Sequence, residues 1–404
     1  MMRIALVVPE YRTEQGLHGG VATVADFVID AFADVREAQV EVLSPRMWSR
    51  APESQRILSP ASWFRGPQSR SVTIGDTCVT YVGSRWAEIQ HLRFRGSRLL
   101  RKLLGDFDIL VVICGSPASF ELVRGVGKPV LGQVATTVAV ERQKLIEKAS
   151  PLMRLIHRTN TLLVSRLDRS GVGVPNVLLV ENPWMAAWAQ THGAENVRIV
   201  LPGVDVEAFS PRTGAAGEPG YILSVGRLAD PRKNLSLLIR AYAIARAEYG
   251  VRQRLVLAGR NSPPSEVWEE IRRHNLGDAV DVHSDVSGDG LSALYREADF
   301  FAMSSSEEGL GMVMMEAMAS GLPVVSTATE GAKVVVGSSE AGVLVDLGPG
   351  EERGLATAIS RFANDERLRT AARLEARARA ETNFSSERAG ERFREAILAM
   401  ADFT

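Results

Sequence analysis

Two carboxylates, two cations and a set of glycines stand at spacings that could do chemistry together. Seven residues separate Glu308 from Glu316 in SSSEEGLGMVMMEAMASGLPVVS, residues 304–326, and Gly309 and Gly311 lie between them. The glycines make a flexible loop after the apolar run Phe300–Met303. A helix is predicted from Met312 to about Ser320, stopped by Gly321 and Pro323. A glycine loop that opens a helix presents unclaimed backbone N–H groups and the positive end of the helix dipole, which together suit phosphate. Glu308 in the loop and Glu316 about a turn into the helix can both reach a ligand lying across the helix start. Carboxylate oxygens accept hydrogen bonds, so such a pair suits hydroxyl-rich molecules. Read alone, the same two residues also suit a solvated loop and a solvated helix face.

The cations lie in YILSVGRLADPRKNL, residues 221–235. Arg227 leaves the end of a strand, and Lys233 precedes a helix for which Asn234 is a plausible N-cap. Two fixed cations at a sheet edge can neutralise a diphosphate, and in group transfer they stabilise charge that builds on the leaving group. A surface pair beside a turn is the plain alternative. A third glycine cluster, Gly19 and Gly20 in GLHGGVATV, follows the first strand and allows close backbone approach at a helix start. A tight turn explains it equally well, and His18 there reads as a surface residue.

These segments need a scaffold. Short apolar runs recur at Ile4–Val8, Ile109–Ile113, Val130–Val134, Val177–Val180 and Val197–Leu201, each beside a longer helical stretch. After Leu201–Gly220, rich in Pro, Gly and Ala and read as a linker, the alternation restarts. Its strand candidates are Tyr221–Val225, Arg254–Ala258, Val280–His283, Phe300–Met303, Val324–Ser326 and Gly342–Val345. Continuous apolar strands separated by helices mean parallel sheets covered on both faces. The expected fold class is α/β: two doubly wound, Rossmann-like domains facing a cleft, over 1–200 and 201–385. A helix at 386–404 is expected to return to the first domain. The linker and this helix are the natural hinge points for closure on a ligand.

Composition narrows the class. A hydrophobic fraction of 45% with 24% charged residues is that of a soluble globular chain. No stretch approaches a membrane span and the start MMRIALVVP reads as a buried strand, so a cytoplasmic location is expected. Cys78 and Cys114 both sit in apolar sequence and read as core thiols. Residues 1–200 hold 24 Lys and Arg against 18 Asp and Glu, so the basic half can face an anionic partner. No early strand is followed by GxGxxG with an acidic residue at the proper interval, which argues against a nicotinamide dehydrogenase.

Together the GG loop, VLPGVDVEAFSP at residues 200–211, the VGRL and PRKN pieces and the Glu308-to-Glu316 motif resemble family 4 of the retaining glycosyltransferases, of GT-B fold. The Arg227–Lys233 spacing is similar to that of the bacterial phosphatidylinositol mannosyltransferase subgroup. The resemblance implies transfer of a hexosyl group from a nucleotide diphosphate sugar to an acceptor hydroxyl, in a sugar-containing or lipid-linked acceptor. Glu308 would touch the donor sugar hydroxyls and the backbone of Gly309, Leu310, Gly311, Met312 and Val313 would hold sugar and diphosphate. Glu316 would bind the ribose, Arg227 and Lys233 the diphosphate, and Gly19 and Gly20 would approach from the first domain. No cofactor, metal or nucleic acid is implied; the DxD string Asp106–Asp108 reads as a strand edge.

One departure stands out. In VLGQVATTVAVER the place for the family's usual histidine falls near Ala135, where the alternatives are substitution by Gln133, Thr136 or Thr137 and a role carried by the backbone alone. A catalytically inactive sugar-nucleotide-binding subunit and a sucrose- or sugar-phosphate-type synthase therefore stay open beside the transferase. Residues 91–104, HLRFRGSRLLRKLL, would on one helix gather Arg98, Arg101 and Lys102 on a face apart from the leucines. Such a helix could contact an anionic membrane peripherally; an ordinary domain helix is the simpler reading, since Gly96 weakens it.

Overall fold

The computed structural model describes residues 1–13, 20–33, 35, 38–75, 77–212, 220–286, 288–338 and 340–403. Expectations for Gly19, His18 and part of the linker fall outside them. The chain divides into two compact units, one of Met1–Pro202 with Ala389–Thr404 and one of Gly203–Arg388.

In the first unit the strands are β1 (Met2–Val7), β2 (Ala38–Pro45), β3 (Ser69–Ile74), β4 (Thr77–Val82), β5 (Ile109–Cys114), β6 (Val130–Val134), β7 (Val177–Val180) and β8 (Val197–Ile199). They form one sheet in the order β3-β4-β2-β1-β5-β6-β7-β8. Alternate residues of a strand point to opposite faces, and both faces are packed. Ile4 and Leu6 of β1 and Val111 and Ile113 of β5 enter one apolar cluster. Ala5, Val7, Leu110 and Val112 enter the other. This is why β5 reads as an unbroken apolar run: all six of its residues are buried. Asp108, just before it, accepts the Arg3 amide at 2.8 Å, as a strand edge should.

The sheet is not purely parallel. β3 and β4 form an antiparallel hairpin at the edge, with Gly75 at φ +58° in its turn. Strands β2 to β4 do not read as continuous apolar runs, because β3 is largely solvent-exposed and polar and β2 and β4 mix polar with apolar residues. On β4 the alternation leaves Val79 and Tyr81 inward. It also turns Cys78 outward, so that thiol is exposed rather than a core residue; Cys114 is buried. The expected single helix over residues 91–104 is in fact two short pieces, Gln90–Arg93 and Arg98–Leu104. A Cβ at Gly96 would stand 2.2 Å from the Leu122 carbonyl oxygen, so the chain bends there, and Ser97 caps the second piece.

The second unit holds β9 (Ile222–Arg227), β10 (Leu255–Arg260), β11 (Val280–Ser284), β12 (Phe300–Met303), β13 (Val324–Thr327) and β14 (Gly342–Val345). Their order is β11-β10-β9-β12-β13-β14, all parallel. This is the doubly wound pattern in which strand order reverses between the first and fourth strands, here β9 and β12. Ligands of such sheets bind outside the carboxyl ends at that switch point. The chain enters the unit with Val204 donating to the Phe384 carbonyl and accepting from the Ser386 amide.

The last helix, Ser386–Leu398, supplies the core of the first unit. Phe393, Ala396 and Ile397 are buried there among β1 and β5 residues, and the Phe393 ring meets Phe27 edge-on at 5.4 Å. Phe393→Ala should therefore cost about 3–5 kcal/mol of stability. A urea melt showing a loss under ~1 kcal/mol would mean that this anchoring carries no weight.

Candidate functional site

The carboxyl ends of β9 and β12 carry the residues that the sequence singles out. Arg227 is the last residue of β9, half exposed, and its guanidinium pairs with Asp230 at 2.7 Å. Asp230 also opens the short 3₁₀ turn Pro231–Lys233 by accepting the Arg232 amide. It binds the Arg232 side chain at 2.8 Å, and Arg232 in turn reaches Glu307 at 3.0 Å. Burial alone would raise the Asp230 carboxyl, but the Arg232 hydrogen bond and the charges of Arg232 and Arg227 win and hold it below its ordinary value.

Lys233 ends the 3₁₀ turn. An added Cβ on Gly226 would stand 3.0 Å from Lys233 Cε, so that glycine leaves room for the lysine stem along β9. Asn234 is not the side-chain cap expected. It takes the left-handed backbone (φ 48°) needed to swing from the turn into the helix Leu235–Tyr249, and its side chain makes no capping bond. Its carbonyl accepts instead from the Leu237 amide and from Ser304 Oγ.

The loop after β12 is stitched to this turn. Ser304 Oγ donates to the carbonyls of Lys233 and Asn234, both at 3.0 Å. The Ser306 amide donates to Arg232 O at 2.8 Å. From the other side, Thr327 Oγ1 at the end of β13 donates to Ser305 O, and the Gly331 amide donates to Glu308 O at 3.0 Å. Gly331 has no room for a side chain, because a Cβ would fall 2.5 Å from Leu310 O. The loop is thus held by backbone contacts on both flanks, with Leu310 buried beneath it.

That frame brings Glu308 to Lys233. Lys233 Nζ donates to Glu308 Oε1 at 2.5 Å, and Ser305 Oγ donates to the same oxygen at 2.6 Å. Glu308 Oε2 has no hydrogen bond among the described residues, and Lys233 uses one of its three N–H donors here. The helix Met312–Ala319 begins at Gly311, at φ 85°, without a side-chain cap, so no side chain claims its first amides. A residue with a side chain at Gly311 would be strained and would meet Met314 Cε at 2.4 Å.

Glu316, one turn in, accepts from the Tyr295 hydroxyl at 2.8 Å; that hydroxyl also lies 3.1 Å from Val313 O. Desolvation raises the Glu316 carboxyl above its ordinary value, against the Tyr295 hydrogen bond and the Lys233 charge. Arg227, Lys233, Glu308, the Gly309–Val313 segment and Glu316 thus share one edge of one sheet. Tyr295, Asp230, Arg232 and the serines 304–306 are the supports that sequence reasoning missed. Only SSSE carried a local signal, a run of small hydroxyl residues at a strand end. Gly20, the first residue of the helix Gly20–Ala31, belongs to the first unit.

The ends of β5 and β6 in that unit include the place where a histidine is missing. Gln133 is buried in β6 and donates to Glu181 at 2.7 Å, which commits it to the sheet. Thr136 and Thr137 are buried, whereas Ala135 is partly exposed. Asp168, on the helix Pro151–Gly171, ties the two loops together by accepting the Ala118 and Val138 amides, each at 2.9 Å. Burial pushes its carboxyl up to about 6, despite those hydrogen bonds and the Arg142 charge.

Comparison with known proteins adds what the chain is similar to. Residues 205–381 match the family "Glycosyl transferases group 1". D-inositol 3-phosphate glycosyltransferase of Segniliparus rotundus is 31% identical over 264 residues, covering 61% of this chain and 56% of that relative. The chain therefore spans little more than half the length of that curated relative. Sucrose-phosphate synthase from Thermosynechococcus elongatus superposes with a TM-score of 0.76 at 17% identity, covering 100% of both chains. Anabaena HepE in complex with UDP-glucose gives 0.70 at 16% identity, covering 99% of this chain and 100% of that one. These likenesses show the fold, which is GT-B. Among the described residues no helix is long and apolar enough to cross a membrane.

The Asp168 tie carries a pH dependence. The group binds its proton more tightly folded, about 6, than unfolded, 3.8. Its stabilisation is complete below the unfolded value and is lost as pH rises through about 6. Wild type should lose on the order of 3 kcal/mol across that window relative to Asp168→Asn. Parallel pH profiles of urea unfolding for the two proteins would refute the assignment.

Proposed function

We propose that this chain, whose residues 205–381 belong to the group 1 glycosyltransferases, transfers a hexosyl group from a nucleotide diphosphate sugar to an acceptor hydroxyl with retention of configuration. The observation that carries the proposal is the juxtaposition of Lys233 and Glu308, 2.5 Å apart beside an uncapped helix start at the sheet's switch point. A cation for a diphosphate and a carboxylate for sugar hydroxyls are what a nucleotide-sugar donor requires at adjoining positions.

In this reading Arg227, Lys233 and the first amides of Met312–Ala319 hold the diphosphate and stabilise the charge that grows on it as the anomeric C–O bond breaks. The acceptor oxygen bonds to the anomeric carbon from the same face, and its proton passes to the departing phosphate oxygen. Glu308, through Oε2, accepts hydrogen bonds from the donor sugar. Glu316, oriented by Tyr295, accepts them from the ribose. By the resemblance Gly19 and Gly20 are assigned to the donor as well; Gly19 lies outside the described residues. HepE, in complex with UDP-glucose, and D-inositol 3-phosphate glycosyltransferase support a nucleotide-sugar donor and a hydroxyl acceptor. Fixed protein cations take the charge-neutralising role, so no metal enters the proposal. We place the enzyme in the cytoplasm, with any membrane contact peripheral.

The alanine near the usual histidine position favours one second reading, a sugar-nucleotide-binding subunit without transfer. Slow hydrolysis of donor in the absence of acceptor separates the two, because a binding subunit should show none.

Glu308→Ala should lower kcat by on the order of 10²–10³ while circular dichroism stays that of wild type, and Lys233→Ala should do the same while weakening nucleoside diphosphate binding. Near wild-type kcat in folded Glu308→Ala would sink the assignment. Activity should also persist in excess EDTA; a complete loss restored by a divalent cation would contradict metal-independent transfer.

A further inference from the structure

The first unit holds a cavity of about 980 Å³ whose lining includes five arginines: Arg65, Arg85, Arg95, Arg98 and Arg101. Among the described residues no carboxylate lines it. None of the five forms an ion pair among the described residues; Arg65 and Arg101 reach only backbone carbonyls, of Pro52 and Gly96. Arg85, Arg95 and Arg98 make no side-chain hydrogen bond among the described residues, although Arg85 lies over the Trp86 ring at 5.8 Å. The charge of Arg95 is felt by Glu121, whose carboxylate is already bound by Arg124 and Ser170.

Five like charges around one basin repel one another unless an anion joins them. Surface arginines that only solubilise are ordinarily interspersed with carboxylates. The basin is also held in shape. Gly96 is pressed on the Leu122 carbonyl, which fixes the bend between Arg95 and Arg98, and Leu100 and Leu104 anchor the helix that carries Arg98 and Arg101. Trp86, on the wall, has φ 53°, a backbone conformation that a bulky residue rarely adopts. Guanidinium groups match phosphate oxygens with paired donors.

We infer that this basin binds the phosphate of a phosphorylated ligand, and that Arg95 and Arg98 are its principal donors. Identifying that ligand as the acceptor rests on the transfer reading above; the binding itself does not. The phosphate can belong to a soluble sugar ester or to a lipid headgroup, since Leu58 and Phe64 stand 81% and 95% exposed close to Arg65 in the chain.

The test uses the full chain and two probes. Glucose 6-phosphate is titrated by calorimetry, and co-sedimentation is measured with phosphatidylcholine vesicles with and without phosphatidic acid. One probe should bind, and Arg95→Gln/Arg98→Gln should weaken it at least about tenfold through lost charge-assisted hydrogen bonds. Lys233→Ala should bind it as wild type does, which separates this basin from the nucleotide-sugar site. Ester binding identifies a soluble ligand, and binding only to acidic vesicles identifies a lipid. No binding to either probe, wild-type affinity in the double variant, or loss in Lys233→Ala would each overturn the inference.

Discussion

The contact between Lys233 Nζ and Glu308 Oε1 joins the two loops that leave the switch point of the second sheet. Both side chains are mostly withdrawn from water, each 13% exposed, so each would be costly to hold without the other. The surrounding structure keeps the pair in register. Ser304 and Ser306 bind the lysine's turn, Ser305 shares the glutamate oxygen, and Thr327 and Gly331 hold the loop from the far side. Glycines stand where nothing larger fits: Gly226 under the lysine stem, Gly331 against Leu310, and Gly311 at the helix start. A site whose charges are placed before the ligand arrives spends little reorganisation on binding, which is the usual basis of electrostatic catalysis.

The first unit follows a different electrostatic plan. Its strand-end loops are tied by one buried carboxyl, Asp168, through two backbone amides. Its surface basin collects arginines without matching acids among the described residues. The excess of 24 Lys and Arg over 18 Asp and Glu in residues 1–200 therefore has a place in the fold, since five of those cations line one cavity. A chain of near-zero net charge thus separates a basic surface in one unit from an acidic and basic pair in the other.

Much of this was legible in the sequence, and the reason is burial. Strands covered on both faces, such as β5 and β12, must be apolar throughout, and a glycine loop opening a helix leaves a fixed spelling. The edge hairpin β3–β4 was not legible, because an exposed edge strand need not be apolar and Cys78 could turn outward. The reading of residues 91–104 as one helix missed the Leu122 carbonyl that Gly96 must clear, a contact 26 positions along the chain. Asn234 looked like a cap by type, but its left-handed backbone gave the role to its carbonyl. Tyr295 orients the site through Glu316, a partner on another element that no spacing rule connects, whereas Asp230 acts locally on Arg232 and Arg227.

The central claim is that the second unit is built to receive a nucleotide diphosphate sugar. A thermal-shift screen across nucleotide diphosphate sugars tests it most directly, because a ligand that binds only the native state stabilises it by RT ln(1 + [L]/Kd), about 2.7 kcal/mol at a hundredfold excess over Kd. At least one nucleotide sugar should raise the melting temperature of wild type in a saturable way, and the same ligand should shift Glu316→Ala less. A flat response of wild type to every nucleotide sugar would contradict the account.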